Sequence, residues 1–414
     1  MKNKKTPAIR FKGFTDDWEQ RKLGDIADRI TEKNIFLVES ETFTNSAEFG
    51  IINQRDFFNH DITNKENIGN YYIVRPEDFV YNPRISVTAP VGPINRNKLG
   101  RNGVMSPLYT VFRPHDAENS YLEYYFKTDN WYVFMKFNGD SGARSDRFSI
   151  GTELFYEMPI PIPSIDEQKR IGQFLMNLFD SITLHQRKLE KLKNFKKAML
   201  EKMFPKNGEK TPEIRFQGFT DDWEQRKLGK LANIIDPHPS HRAPSEVKNG
   251  IPFIGIGDVE IDGSIDYVKS RKVAASIYEE HHKRYDLAIP SLGIGRVASL
   301  GKVVRLRNDI GKYTVSPTMS VMQFEKNSNI DFLYAAMNSE VFQKQFVSQS
   351  NGSTRQSVGI QDLRVIEVSV STHKEEQGEI GKFFKKLDTL ITLHQRKLEK
   401  LQQIKKAMLE KMFV

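Results

Sequence analysis

From Ile171 onward, seam positions recur in alternating steps of four and three: Ile171, Leu175, Leu178, Ile182, His185, Leu189, Leu192, Lys196, Met199 and Met203. The same rhythm runs through Ile380, Phe384, Leu387, Ile391, His394, Leu398, Leu401, Lys405, Met408 and Met412. A mean step of about 3.5 residues is the seam of a coiled coil, broken in both places by one His and one Lys. Ser164 with Glu167, and Thr372 with Glu375, read as capping boxes that start two helices. Pro159, Pro161 and Pro163 keep the chain before the first helix extended, and Pro205 with Asn207-Gly208 stops that helix. Val370–Gln377 lacks such prolines, which predicts a looser junction into the second helix. At ~1.5 Å per residue, helices of about 40 residues span about 60 Å.

Outside these stretches the pattern changes to short Val, Ile, Tyr and Phe runs broken by Gly, Pro and Asn. That predicts mixed α/β domains with a few short helices, such as 121–134 and 331–346.

The chain also repeats itself. Thr6–Gly24 and Thr211–Gly229 match at 17 of 19 positions, sharing GFTDDWEQRKLG, and Ile182–Phe204 and Ile391–Phe413 match at 20 of 23. The offsets of 205 and 209 residues make two units of about 200, too long for a solenoid period. Asp16–Glu19 and Asp221–Glu224 resemble capped helix starts. The middles, 25–163 and 230–371, differ except for faint echoes: Ser-Pro at 106 and 316, Ser141–Arg144 against Asn351–Arg355. Two like seams in one chain can pair antiparallel about a pseudo-two-fold axis, the natural closure, ahead of a parallel pairing or one with another chain. Fully overlapped, His185 would face Leu398 and His394 would face Leu189.

Charge sharpens the picture. Ile182–Phe204 carries seven Lys/Arg against two acids and Ile391–Phe413 six against two, so these segments hold the whole net charge of +9. With no cysteine, disulfides and Cys-based zinc sites are excluded. No apolar leader or membrane-length apolar run is present, so a cytoplasmic protein is expected.

These residues carry a family resemblance. The duplicated GFTDDWEQRKLG, the twin helices ending KKAMLEKMF and the Pro-x-Pro…Glu-Gln junction at Pro161–Gln168 resemble the specificity (HsdS) subunit of type I restriction–modification systems. The resemblance implies an α+β fold: two mixed α/β target-recognition domains separated by a pair of long antiparallel coiled-coil helices, with a pseudo-two-fold internal repeat. It divides the chain into lead-in 1–24, first recognition domain 25–163, first spacer helix 164–204, linker and second lead-in 205–229, second recognition domain 230–371 and second spacer helix 372–414. It further implies binding of double-stranded DNA at a bipartite site, one half-site per domain. The helices would act as ruler and dock two methyltransferase subunits; restriction–translocase subunits would join them. S-adenosylmethionine, ATP and Mg belong on those partners, and the chain itself binds no cofactor and catalyses nothing.

Residue types that reach base edges or phosphates from loops single out Arg84, Ser86, Arg96, Arg101, Arg144 and Arg147 in the first middle. In the second they are Lys283, Arg284, Ser291, Arg296, Ser353, Arg355 and Gln356. The rival reading is a single-chain methyltransferase or nuclease. Tyr81-Asn-Pro-Arg84 only superficially suggests an adenine methyltransferase motif, lacking the aromatic that stacks on a flipped base. Gly255-Ile-Gly257 and Gly293-Ile-Gly295 lack the third Gly of a dinucleotide fingerprint, and Glu167-Gln-Lys169 matches a nuclease pattern only by letters. His238, His241, His281 and His282 are read as surface or turn residues, not metal ligands. Trp18 and Trp223 are read as packing residues.

Overall fold

The computed structural model of the chain describes residues 6–58, 65–141, 146–238, 243–268, 270–297, 299–350 and 356–414. It divides into two compact units, Met1–Thr183 with Glu399–Val414, and Leu184–Leu398. Two 38-residue helices, Ile165–Lys202 and Lys374–Lys411, run through this division. Each unit therefore holds the start of one long helix and the end of the other.

Each unit is built on the same plan. In the first, a four-stranded antiparallel sheet has the order Ala27–Ile30, Thr110–Pro114, Phe79–Tyr81, Ile94–Arg96. In the second the order is Ala232–Ile235, Met319–Phe324, Ser291–Gly295, Val303–Leu306. Ser291–Gly295 is buried along its whole length, and a Cβ on Gly293 would collide with Met319. The helices expected at 121–134 and 331–346 are each broken in two, Asn119–Tyr125 with Tyr132–Asn138 and Ile330–Met337 with Glu340–Ser348. In the second pair Ser339 restarts the chain by accepting from Phe342 N at 3.4 Å.

The repeated lead-in forms a strand, not the helix start read from Asp16–Glu19 and Asp221–Glu224. Glu19–Lys22 pairs antiparallel with Pro159–Ile162, and Glu224–Lys227 pairs with Glu367–Val370 in the corresponding register. Long-range pairing overrides the local capping pattern here. The second junction forms the same four-residue ladder without the prolines, so the expected loosening is not seen.

Ahead of that strand, each lead-in clasps both long helices. In the first unit Ile9 N donates to Lys411 O at 2.9 Å, while Arg10 forks onto Glu167 at 2.7 and 2.8 Å. In the second, Ile214 N donates to Lys202 O at 2.9 Å, and Arg215 forks onto Glu376 at 2.6 and 3.0 Å. One short segment thus ties the end of one helix to the start of the other. Trp18 and Trp223, both 3% exposed, pack beneath it.

The helix starts correct both capping boxes, of which only the serine half of the first forms. Ser164 Oγ accepts from Glu167 N at 3.4 Å, but Thr372 and Glu375 do not open the second helix. That helix begins at Lys374 behind His373, whose N–H donates to Ser371 Oγ at 3.1 Å. The tail offset of 209 places His373 opposite Ser164 and Glu376 opposite Glu167, so both Glu side chains serve the clasp.

Gly172 and Gly381 occupy equivalent places inside the long helices. A Cβ at Gly381 would lie 2.6 Å from Asn329 Oδ1 and 2.8 Å from Phe332 N, and one at Gly172 only 2.0 Å from Ser120 Oγ. Asn329 is the cap of the helix Ile330–Met337. Gly381→Ala is expected to lower the thermal midpoint although Ala is the better helix former. Overpacking costs about 1–3 kcal/mol and a disturbed cap about 1 more, against a gain of roughly 1 kcal/mol.

All twenty seam positions are buried or half-buried. Within the second unit the helices run antiparallel: Phe195 meets Phe383 at 6.2 Å between ring centroids, and His185 Nδ1 meets His394 Nδ1 at 2.8 Å. His185 thus faces its own repeat copy, where full overlap of the seams placed Leu398; the register sits about one turn away. The lysines divide. Lys196 pairs with Asp388 at 2.6 Å, whereas Lys405 lies 4.2 Å over the ring of Phe179, which occupies the place equivalent to Asp388.

Burial, then the neighbouring His394, Lys397 and Lys188, lowers the pKa of His185. The folded state then disfavours its proton, so stability is fully present above the ordinary value of ~6.5 and is lost as pH falls below it. Between about pH 7.5 and about pH 5.5 the wild-type thermal midpoint should fall further than that of a His185→Leu, His394→Leu variant. Parallel curves would show that the pair contributes nothing to the pH response.

Candidate nucleic-acid interface

In the first unit the sheet strand Phe79–Tyr81 ends at Asn82, whose side-chain Oδ1 accepts from Arg84 N at 3.0 Å and whose amide donates to Asn45 O at 2.7 Å. Asn82 is therefore a turn former, consistent with its not being a methyltransferase asparagine. Beyond it the chain pairs briefly with the segment after residue 145: Ile85 N donates to Asp146 O at 2.9 Å and Phe148 N to Pro83 O at 2.8 Å. This brings Arg84 and Arg147 directly opposite each other, both exposed.

The pair stands on a cleft of about 590 Å³ lined also by Ser86, Thr88, Tyr71, Tyr109 and Phe57. Its asparagines, Asn45 and Asn82, are committed inward: Asn45 Nδ2 donates to Val80 O at 2.6 Å and its Oδ1 accepts from Asn95 Nδ2 at 2.7 Å, while Asn82 is bound as above. Ser86 Oγ accepts from Ala89 N at 3.1 Å and faces solvent.

Two other singled-out cations of the first unit are neutralised. Arg96 is held by Glu77 at 3.2 Å and Glu123 at 2.8 Å, and Arg101 forks onto Glu41 with both bonds 2.7 Å. In the second unit Lys283 and Gln356 are exposed. Arg284 donates to Asp236 O at 3.3 Å, Arg296 sits 3.5 Å from Asp236, and Ser291 is buried and donates to Ile289 O at 2.7 Å. Buried in a central strand, Ser291 cannot reach DNA, and the ion-paired Arg96 is badly placed to do so. Arg144, Ser353, Arg355 and His241 lie outside the described residues.

Of the histidines read as surface or turn residues, His238 and His281 are buried and His282 is half-buried. His281 is 1% exposed with Nδ1 2.6 Å from Thr314 Oγ1, and His282 Nε2 lies 3.0 Å from Tyr313 O. His238 is buried against His281, 4.4 Å between ring centroids. Burial above all, helped by His238, His282 and Arg284, pushes the His281 pKa down to about 4. Among the described residues no cluster of three potential ligands could hold a metal ion, and no helix is long and apolar enough to cross a membrane.

The clasp residues escaped the sequence reading. Arg10 and Arg215 sit in the repeated Ile-Arg-Phe, so their duplication was the available signal; their partners, 157 and 161 residues away, were not visible.

The sequence model of the type I restriction modification DNA specificity domain matches twice, over residues 15–194 and 220–403. The chain belongs to this family. It is a type I restriction–modification specificity subunit with two target-recognition domains. Among curated relatives, a type I restriction enzyme MjaVIII specificity subunit from Methanocaldococcus jannaschii is 23% identical over 321 residues, 74% of this chain and 73% of that one. A putative type I restriction enzyme MjaX specificity subunit from the same organism is 24% identical over 216 residues, 50% of this chain and 45% of that one. A crystal structure of a type I restriction–modification system S subunit from M. genitalium shares the fold, with TM-score 0.66, 13% identity and 99% of both chains covered.

Proposed function

We propose that this specificity subunit reads an asymmetric bipartite DNA sequence, one half-site per recognition domain, and docks two methyltransferase subunits on its long helices. The observation that carries this reading is one clasp, Arg10–Glu167 and Arg215–Glu376, built twice beneath two different surfaces. Identical framing repeats the geometry, and different surfaces call for different half-sequences. Helices of 38 residues, about 57 Å long, suit a ruler longer than one DNA turn of ~34 Å.

Leu184 and Leu393, equivalent positions on the helices, are 52% and 61% exposed, which supports partner docking there. Exposed Lys191, Lys193, Lys197, Lys397, Lys400 and Lys406 add a basic face for phosphates or acidic partner surfaces. S-adenosylmethionine, ATP and Mg would be handled by the methyltransferase and the restriction–translocase subunits, leaving this chain a non-catalytic reader working in the cytoplasm.

Mapping methylated adenines in cells that express the chain with its methyltransferase tests the reading. One asymmetric, interrupted motif is expected. A palindromic or continuous motif, or the same methylation with the chain absent, would overturn it.

A further inference from the structure

We infer that Arg84 and Arg147 act as one reading element that takes two guanines on neighbouring base pairs of the first domain's half-site. The inference rests on the recognition reading above and adds base identity to it.

The geometry is specific. The two backbone bonds that bracket the pair, Ile85 N to Asp146 O and Phe148 N to Pro83 O, make Arg84 and Arg147 a directly opposed, non-hydrogen-bonded pair. Side chains at such a position leave the same face from Cα atoms about 4.5 Å apart. Like charges placed this way oppose each other and weaken the pairing. Among the described residues no carboxylate forms an ion pair with either guanidinium. Arg75, Arg96, Arg101 and Arg113 of the same unit are each held by Asp or Glu at 2.7–2.8 Å. Two exposed cations held side by side without a carboxylate present a concentrated positive site suited to an outside acceptor.

The acceptor is a base edge before it is a phosphate. The pair faces a cleft that also carries Tyr71, Tyr109 and Ser86, with Glu48 as its carboxylate, a lining that opposes a phosphate and leaves base edges as the acceptor. A guanidinium fork matches the O6 and N7 acceptors of guanine, the commonest specific contact to a base pair. Two forks rooted on Cα atoms about 4.5 Å apart can reach successive base pairs stacked ~3.4 Å apart. The adenine-reading alternative is closed to the nearby asparagines, whose amides are spent on Val80, Asn45 and the backbone.

The second unit does not share the device. Its corresponding backbone bond, Val358 N to Arg296 O at 3.1 Å, is present, but the residue before Val358 is Ser357 where the first unit has Arg147. Arg296 is bound by Asp236. The guanine requirement therefore belongs to one half-site only.

Selection from randomised duplexes by the full chain tests this. The wild type should enrich a bipartite sequence with two adjacent guanines in one half. Arg84→Lys and Arg147→Lys keep a charge for phosphate but lose the fork. Each should reduce the guanine preference at one of those two positions by roughly 5- to 150-fold and leave the other half-site intact, which also certifies folding. A half-site without adjacent G·C pairs overturns the inference. So does a motif unchanged in both Lys variants while Arg84→Gln and Arg147→Gln weaken all sequences alike, the signature of phosphate contacts. If the wild type enriches no bipartite sequence, the recognition reading itself fails, an outcome distinct from those two.

Discussion

Replacing Glu376 by Ala should destabilise the second unit by about 3–5 kcal/mol, the cost of leaving a buried ion-pair partner uncompensated. The carboxylate is fully buried and accepts from Arg215 at 2.6 and 3.0 Å, from Trp223 Nε1 at 3.1 Å and from the Ser371 hydroxyl. Alanine strands the guanidinium and the indole N–H together. The clasp then loses its hold on the start of the second long helix while Ile214 still holds the end of the first. Glu167→Ala removes the same fork from Arg10, but Trp18 Nε1 has no partner among the described residues and no serine donates to Glu167 as Ser371 does to Glu376, so two bonds fewer are lost. Chemical unfolding of both variants checks the order: Glu376→Ala must be the more damaging. Equal midpoints would show that the Trp223 and Ser371 bonds add nothing.

Asp388→Ala is expected to cost a similar 3–5 kcal/mol, by the same penalty applied to two cations. Asp388, 1% exposed, bridges Lys196 at 2.6 Å and Arg305 at 2.9 Å. Arg305 is also held by Asp331 at 2.9 Å and lies 3.6 Å over the Tyr334 ring, so Lys196 is the cation left most exposed to the loss. Combining Asp388→Leu with Lys196→Met should recover much of the stability, because an apolar pair of similar volume replaces a buried ion pair at little cost. The matching change in the first unit is mild. Lys405 rests on Phe179 and pairs with no carboxylate among the described residues, so Lys405→Met should shift the midpoint far less. A double variant as unstable as Asp388→Ala alone would place the damage elsewhere than in the stranded charge.

Much of this architecture was legible beforehand. The 3.5-residue seam marked both long helices, since a periodic apolar stripe is a local property of consecutive residues. The duplicated segments announced two units, and burial of Trp18 and Trp223 followed from their chemistry. The candidate DNA residues fared unevenly, because a residue type says what a side chain can contact and not what already occupies it. Arg96 and Arg101 have the same chemistry as Arg84 and Arg147, yet Glu77, Glu123 and Glu41 hold them.

The sequence by itself determined the repeat, the helices and the divergence of the two middles. Only the tertiary structure decided that Glu19–Lys22 is a strand, that His185 meets His394, and that Arg84 stands opposite Arg147. The physical reason is range. Propensity and period act over a few residues, whereas a ladder, a seam register and an ion pair depend on which distant segments arrive together. GFTDDWEQRKLG shows both sides: its duplication was plain in the letters, and its work as part of the clasped frame appeared only when residues 157 and 161 positions away closed on the neighbouring arginines.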